Sequence, residues 1–89
     1  MVYAILYTKD NNGVLRTWKY DISTNGASRP QSQVNVLNRL GRPYRMFFTW
    51  NTIGWYRNRW EAERIEWALI MIYYMRHGHC PPGQFFSCR

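Results

Sequence analysis

Residues 59–77 repeat apolar side chains at helical spacing on two sides of the segment, which sets what the rest of the chain has to cover. The two apolar faces are Ile65, Leu69 and Ile72, flanked by Ala62 and Ala68, and Trp60, Trp67, Met71 and Tyr74. The polar stripe between them is narrow and consists of Arg59, Glu63 and Glu66, with Ile70 among them. We expect a sheet to cover the first face. The second face needs either the first helix and the C-terminal tail or a second copy of the chain.

The limits of this helix are marked by capping residues. Asn58, with Glu61 three positions later, is a plausible N-terminal cap, and Gly78 follows the last turn. Residues 2–8 and 14–22 are rich in aromatic and β-branched side chains and predict two strands joined by a tight turn at residues 10–13. Residues 44–51 predict a third strand, residues 52–54 a turn, and residues 55–57 a short fourth strand.

Residues 29–40 fit two secondary structures. Ser28 with Gln31 resembles a capping box, Pro30 suits a first helical turn, and apolar residues follow at helical spacing up to Gly41. Val34, Val36 and Leu40 also alternate as in a strand, but we favour a short helix. In the second strand we expect Val14, Trp18, Tyr20 and Ile22 to share one face with Arg16. In the third, Tyr44, Met46, Phe48 and Trp50 should share one.

Together these segments predict the α+β class. We expect a small antiparallel sheet of three to four strands, packed against a long C-terminal helix and one shorter helix, in the order ββαβ(β)α. Residues 1–79 form a single compact domain in this interpretation, and residues 80–89 a C-terminal tail.

Between Asp21 and Glu61 the chain carries six arginines and no acidic side chain, within a net charge of +7. Guanidinium groups beside aromatic rings bind phosphates, stack on bases or contact acidic protein surfaces. The residues predicted to contact nucleic acid or an acidic partner are Arg39, Arg42, Arg45, Arg57, Arg59, Trp55 and Tyr56. Residues Trp60, Trp67, Met71 and Tyr74 are predicted for self-association as a homodimer.

The sequence gives little support for catalysis. The glutamates fall together on the C-terminal helix, and the isolated glycines form no phosphate-binding loop. His77, His79, Cys80 and Cys88 are of the types that bind zinc, but their spacing is poor, so we predict no metal and no cofactor. A disulfide between the two cysteines is another alternative. We favour reduced, unligated thiols, together with a cytoplasmic location.

The predicted function is therefore that of a small, basic, non-enzymatic binding protein. We expect it to engage nucleic acid through an arginine and aromatic surface on a sheet with both helices on one face. The alternative is an inhibitor or regulator that docks on an acidic or nucleic-acid-handling protein complex. It is similar in style to phage anti-defence or host-takeover proteins, although no motif carries that likeness. A membrane-surface role is disfavoured because the polar side of the long helix is acidic.

Overall fold

The computed structural model describes residues 1–10 and 12–84 of the chain. Its two helices and three strands confirm the predicted α+β class and the order ββαβα, and residues 29–40 are helical. The elements are β1 (Val2–Lys9), β2 (Arg16–Ile22), α1 (Ser28–Gly41), β3 (Met46–Gly54) and α2 (Arg59–His77), with a 3-10 turn at Arg42–Tyr44.

The sheet has the strand order β2-β1-β3, and both pairings are antiparallel. Because β1 lies in the centre and its two faces are both apolar, each face needs a cover. Tyr3 and Ile5 pack with Val34 of α1 on one side, whereas Val2 packs with Ala62 of α2 on the other. The helices therefore lie on opposite faces of the sheet, and the expectation that both lie on one face is wrong.

A bulge in β2 changes which side chains share a face. Ile5 lies opposite Lys19 and Leu6 lies opposite Thr17, so Trp18 is an extra residue on its strand. Its ring packs against Phe48 in the core under α1, with ring centroids 5.2 Å apart. The predicted common face of Val14, Trp18, Tyr20 and Ile22 with Arg16 is therefore wrong. Tyr20 and Ile22 lie opposite Ala4 and Val2 on the α2 side, and Val14 precedes the strand.

Strand β3 starts and ends later than the sequence predicts. Tyr44 belongs to the 3-10 turn and is exposed, and Arg45 after it adopts a left-handed conformation with φ of 57°. Thr52 and Gly54 pair with β1, so the predicted turn at these residues and the short strand at 55–57 are both wrong. A register shift between Val2 and Tyr3 of β1 lets the pairing continue to Gly54. The residues that had suggested a turn are therefore part of the strand.

The caps of α2 are as predicted, but the start of α1 is not. The side chain of Asn58 accepts a hydrogen bond from the Glu61 backbone at 2.9 Å, and Gly78 ends the helix with φ of 74°. In α1 the N-cap position is Ala27, which makes no side-chain cap bond. Ser28 is already helical, and its hydroxyl donates to the Asn25 carbonyl instead.

Amide side chains cover backbone groups on both outer strands of the sheet. Asn38 of α1 accepts from the Phe48 N–H at 2.7 Å and donates to the Phe48 carbonyl at 3.1 Å. Gln84 does the same for Tyr20 on β2, at 3.0 and 3.1 Å. Such bonds block the pairing of an edge strand with another chain. Because Gly83 is also buried against Trp18, residues 81–84 pack onto the domain as a covering segment of β2.

Candidate functional site

The five arginines predicted to form one contact surface lie at two opposite ends of β3. Arg39 and Arg42 are at the end of α1, and Arg45 immediately precedes β3. Arg57 and Arg59 follow the other end of that strand, at the start of α2. Nine extended residues span about 26 Å. The structure therefore separates the predicted surface into two groups.

Carboxylates that lie outside the acid-free stretch partly balance its charge. Three of its six arginines are paired: Arg29 with Asp21 at 3.2 Å, Arg45 with Asp10 at 3.4 Å, and Arg59 with Glu63 at 3.0 Å. Exposed pairs of this kind contribute roughly 0–1 kcal/mol, so they hold side chains in place more than they stabilise the fold. The salt bridges between described residues do not involve Arg39, Arg42 or Arg57.

At the start of α2, Trp55, Arg57 and Arg59 border an open hollow of about 300 Å³. The Trp55 ring is 71% exposed, whereas Tyr56 is half-buried against the core under α2. Met1 also lines this hollow, and its N-terminal ammonium donates to the Ser23 carbonyl at 2.7 Å. One exposed ring and two guanidinium groups are thus the part of the predicted surface that the structure brings together.

A larger set of exposed apolar side chains lies on the side of α2 that points away from the sheet. We call Trp60, Arg64, Trp67, Met71, Tyr74 and Met75 the outer face of α2. Trp60 is 65% exposed and Trp67 is 60% exposed. The guanidinium carbon of Arg64 lies 4.9 Å from the centroid of the Trp60 ring, a cation–π contact.

The first helix does not cover this outer face, which removes one of the two covers expected from the sequence. Helix α1 packs on the opposite side of the sheet, and residues 81–84 pack on β2. The surface exposed by the described part of the chain therefore combines aromatic rings, a thioether and one cation along a single helix. Side chains of these types are enriched in protein interfaces.

The polar stripe predicted for α2 is only partly correct. Ile70 is 1% exposed, and Glu66 is half-buried. Burial raises the pKa of Glu66 to about 7, and the charge of Asp21 acts in the same direction. The helix packs its Ala62, Glu66 and Leu69 side against the sheet. This buried side is rotated about the helix axis relative to the predicted face of Ile65, Leu69 and Ile72.

Sequence reasoning also missed a polar network around Asp21. Its carboxylate accepts from the Tyr3 hydroxyl and the Gln33 amide, both at 3.2 Å, and pairs with Lys19 at 3.1 Å. Burial alone would raise the pKa of Asp21, but the Ile22 N–H, Lys19 and Gln33 together lower it to about 2. The network joins β1, β2 and α1, so its role is structural.

The residues considered for zinc do not form a ligand set in the part of the chain described. No three His, Cys, Asp or Glu side chains among residues 1–10 and 12–84 are grouped to hold a metal ion. Cys80 is disulfide-bonded, so a reduced thiol at this position is wrong, and Cys88 lies outside the described residues. The rings of His77 and Tyr73 instead stack with centroids 4.2 Å apart.

Comparison of the chain with protein-family models, with curated proteins and with solved structures finds no match. Neither helix in the described part of the chain is long and apolar enough to cross a bilayer. The functional argument therefore rests on the chemistry of the exposed surfaces.

Proposed function

We propose that this protein is a non-enzymatic binding module that docks on another protein through the outer face of α2. The observation that carries the proposal is the exposure of Trp60 and Trp67 on one helix face, two turns apart. Tryptophan, tyrosine and arginine are the side chains that most often dominate the binding free energy of an interface. Large exposed aromatic patches on small proteins mark interaction sites.

The spacing of these side chains supports binding in a groove of the partner. Trp60, Arg64, Trp67 and Met71 stand at positions i, i+4, i+7 and i+11, which is the anchor pattern of a helix laid into a groove. The 19 residues of α2 span about 28 Å at 1.5 Å per residue. The face is therefore long enough to supply the central anchors of an interface of ordinary size.

Charge favours an acidic partner over a second copy of the chain. Arg64 makes no ion pair with another described residue, and its guanidinium group lies over the ring of Trp60. The carboxylate of Glu63, the residue before Arg64 in sequence, is paired with Arg59. Two copies meeting through this face would place two Arg64 side chains in one desolvated contact, on chains that each carry +7. A groove rimmed by carboxylates would neutralise them.

The proposal is tested by capturing a partner and then repeating the binding with purified components. Trp67→Ala should weaken binding by about 30-fold or more, because central aromatic anchors contribute at least about 2 kcal/mol. Tyr44→Ala is the matched control, since its ring is 71% exposed but lies in the turn before β3. It should change affinity by less than about twofold.

Three outcomes would contradict the proposal. Capture that disappears on nuclease treatment would mean that nucleic acid is the target. Equal losses of affinity for Trp67→Ala and Tyr44→Ala would mean that the outer face of α2 is not the contact. A concentration-dependent dimer in light scattering, returned by Trp67→Ala to the 10.8 kDa monomer, would mean that a second copy covers the face.

Nucleic-acid binding is a second candidate function, and one observation favours it. Arg57 makes no ion pair with another described residue, and it lines the same hollow as the exposed ring of Trp55. A phosphate beside Arg57 and a base on Trp55 would use both groups. This function predicts single-strand binding that weakens steeply with salt and is lost in Trp55→Ala but kept in Trp67→Ala. Binding that is insensitive to salt would contradict it.

A further inference from the structure

A second concave surface lies between β2 and the C-terminal end of α2, away from the outer face of that helix. It is a cleft of about 690 Å³. Volumes between about 300 and 1,000 Å³ are typical of small-molecule sites. Eight of its twelve lining side chains carry a hydrogen-bond donor, and the other four are Leu15, Leu69, Ile72 and Pro82. The cleft is therefore suited to a polar ligand.

The charged groups of the cleft have one sign. These groups are Arg16 on β2 and Arg76 on the last turn of α2, and the uncharged part of the wall includes the rings of Tyr73 and Tyr20. No acidic side chain is among the described residues of its wall, and neither arginine forms a salt bridge with a described residue. The carbonyl end of α2 acts as roughly half a negative charge, which offsets only part of the charge of the two arginines. The ligand that fits this wall is an anion.

Three tyrosines add neutral donors beside these cations. Tyr7, Tyr20 and Tyr73 line the cleft, and their hydroxyl groups are not used in any hydrogen bond between described residues. The pKa of Tyr73 is raised by burial and by the nearby phenols of Tyr7 and Tyr20, and lowered by Arg16. The three phenols line the same cleft as the two arginines.

The aromatic side of the wall offers a stacking surface. The rings of Tyr73 and His77 lie 4.2 Å apart and tilted by 34°, and the His79 ring is 5.8 Å from Tyr73. Leu69 and Ile72 continue this wall with apolar surface. A planar ring can be stacked or covered here while an attached anion reaches the guanidinium groups.

We propose that this cleft binds the phosphate of a nucleotide between Arg16 and Arg76 and holds its base against the Tyr73 and His77 rings. Such a ligand matches both halves of the wall, since a nucleotide combines a phosphate with a flat, polar ring. A phosphotyrosine side chain offers a phosphate too, but its ring has no polar edge to bond the remaining donors. The site is separate from the docking face of α2, so neither proposal depends on the other.

The test is calorimetric titration of the full chain with AMP and with UMP at about 0.1 M salt, where exposed charges more than about 10 Å apart are largely screened. We expect saturable binding with a dissociation constant below about 1 mM. Arg16→Gln and Arg76→Gln should each weaken it by about tenfold, because a hydrogen bond to a charged group contributes about 1.5 kcal/mol or more. Both positions are exposed, so the variants should keep the melting temperature of the wild type.

The matched control is the double variant Arg39→Gln and Arg42→Gln, which removes two exposed cations at the far end of α1. It should change AMP affinity by less than about twofold, since α1 packs on the opposite face of the sheet from α2 and the remaining attraction is screened at this salt concentration. Short oligonucleotides with a 5′-phosphate or a 5′-hydroxyl distinguish a strand end from a free nucleotide. Binding of a mononucleotide or of the 5′-phosphorylated oligonucleotide supports the proposal.

Three results would overturn it. The first is the absence of saturable binding by every one of these probes. The second is an equal loss of affinity in the control and in the Arg16 and Arg76 variants, which would indicate attraction by net charge alone. The third is tighter binding of a phosphotyrosine peptide than of AMP.

Discussion

Replacing Glu66 by glutamine should make the folded protein more stable at alkaline pH. The carboxyl group lies half-buried on the sheet side of α2, where burial raises its pKa from 4.5 to about 7. Its charged form is therefore disfavoured in the folded state relative to the unfolded chain. Glu66→Gln keeps the size of the side chain but removes the charge.

The sign and size of the effect follow from linkage. Because the folded pKa is the higher one, the proton bound by Glu66 stabilises the fold below about pH 4.5, and this contribution is lost as the pH rises through about 7. A rise of this size would correspond to about 3 kcal/mol at 1.36 kcal/mol per pH unit. Solvent screening of a half-buried group reduces this, and we expect about 1 kcal/mol.

The assay is urea unfolding of both proteins at about pH 4 and about pH 8. At pH 8 the variant should gain about 1 kcal/mol relative to its difference from wild type at pH 4, or about 4–8 °C in Tm. Glu63→Gln is the control, because the exposed Glu63 carboxylate pairs with Arg59. This variant should be less stable than wild type by at most about 1 kcal/mol at pH 8. The same difference between Glu66→Gln and wild type at both pH values would refute the reasoning.

Three further changes test the packing of the sheet. Asn38→Ala removes both bonds to the Phe48 backbone and should cost about 1–3 kcal/mol in urea unfolding, whereas an unchanged midpoint would contradict the edge contact. A β-carbon at Gly83 would clash with the Trp18 indole ring, so Gly83→Ala should lower the Tm. An unchanged Tm would contradict the packing of residues 81–84 on β2. The Asp21 carboxylate contributes stability above pH 3.8 that is lost as the pH falls through about 2. Asp21→Asn should therefore lower the free energy of unfolding by about 1 kcal/mol at pH 7. An acid titration of its stability identical to that of wild type would contradict this.

Local sequence signals predicted the elements better than their packing. Asn58 and Gly78 mark the ends of α2 because capping depends on neighbouring backbone groups. The extra residue at Trp18 depends on pairing with β1, so the alternation in β2 did not reveal it. The continuation of β3 through Thr52 likewise depends on a partner strand, although the local residues favour a turn.

The candidate surfaces show the same limit. The second apolar face of α2 was visible from helical spacing, since Trp60 and Trp67 fall on one side of the wheel. Predicting that this face is exposed would have required knowing that α1 packs on the other side of the sheet. The acid-free stretch suggested one arginine surface, but the extended β3 separates Arg45 from Arg57, and Asp10 pairs with Arg45 across the fold. Long-range contacts of this kind are not encoded in local composition.

The most direct test of the proposed docking face is to follow the indole N–H signals of the five tryptophans by NMR while a purified partner is added. Each signal is assigned with a Trp→Phe variant. The proposal predicts that the signals of Trp60 and Trp67 shift, while those of Trp18 and Trp50, half-buried beside α1, stay unchanged. A shift confined to Trp55, with Trp60 and Trp67 unaffected, would contradict it.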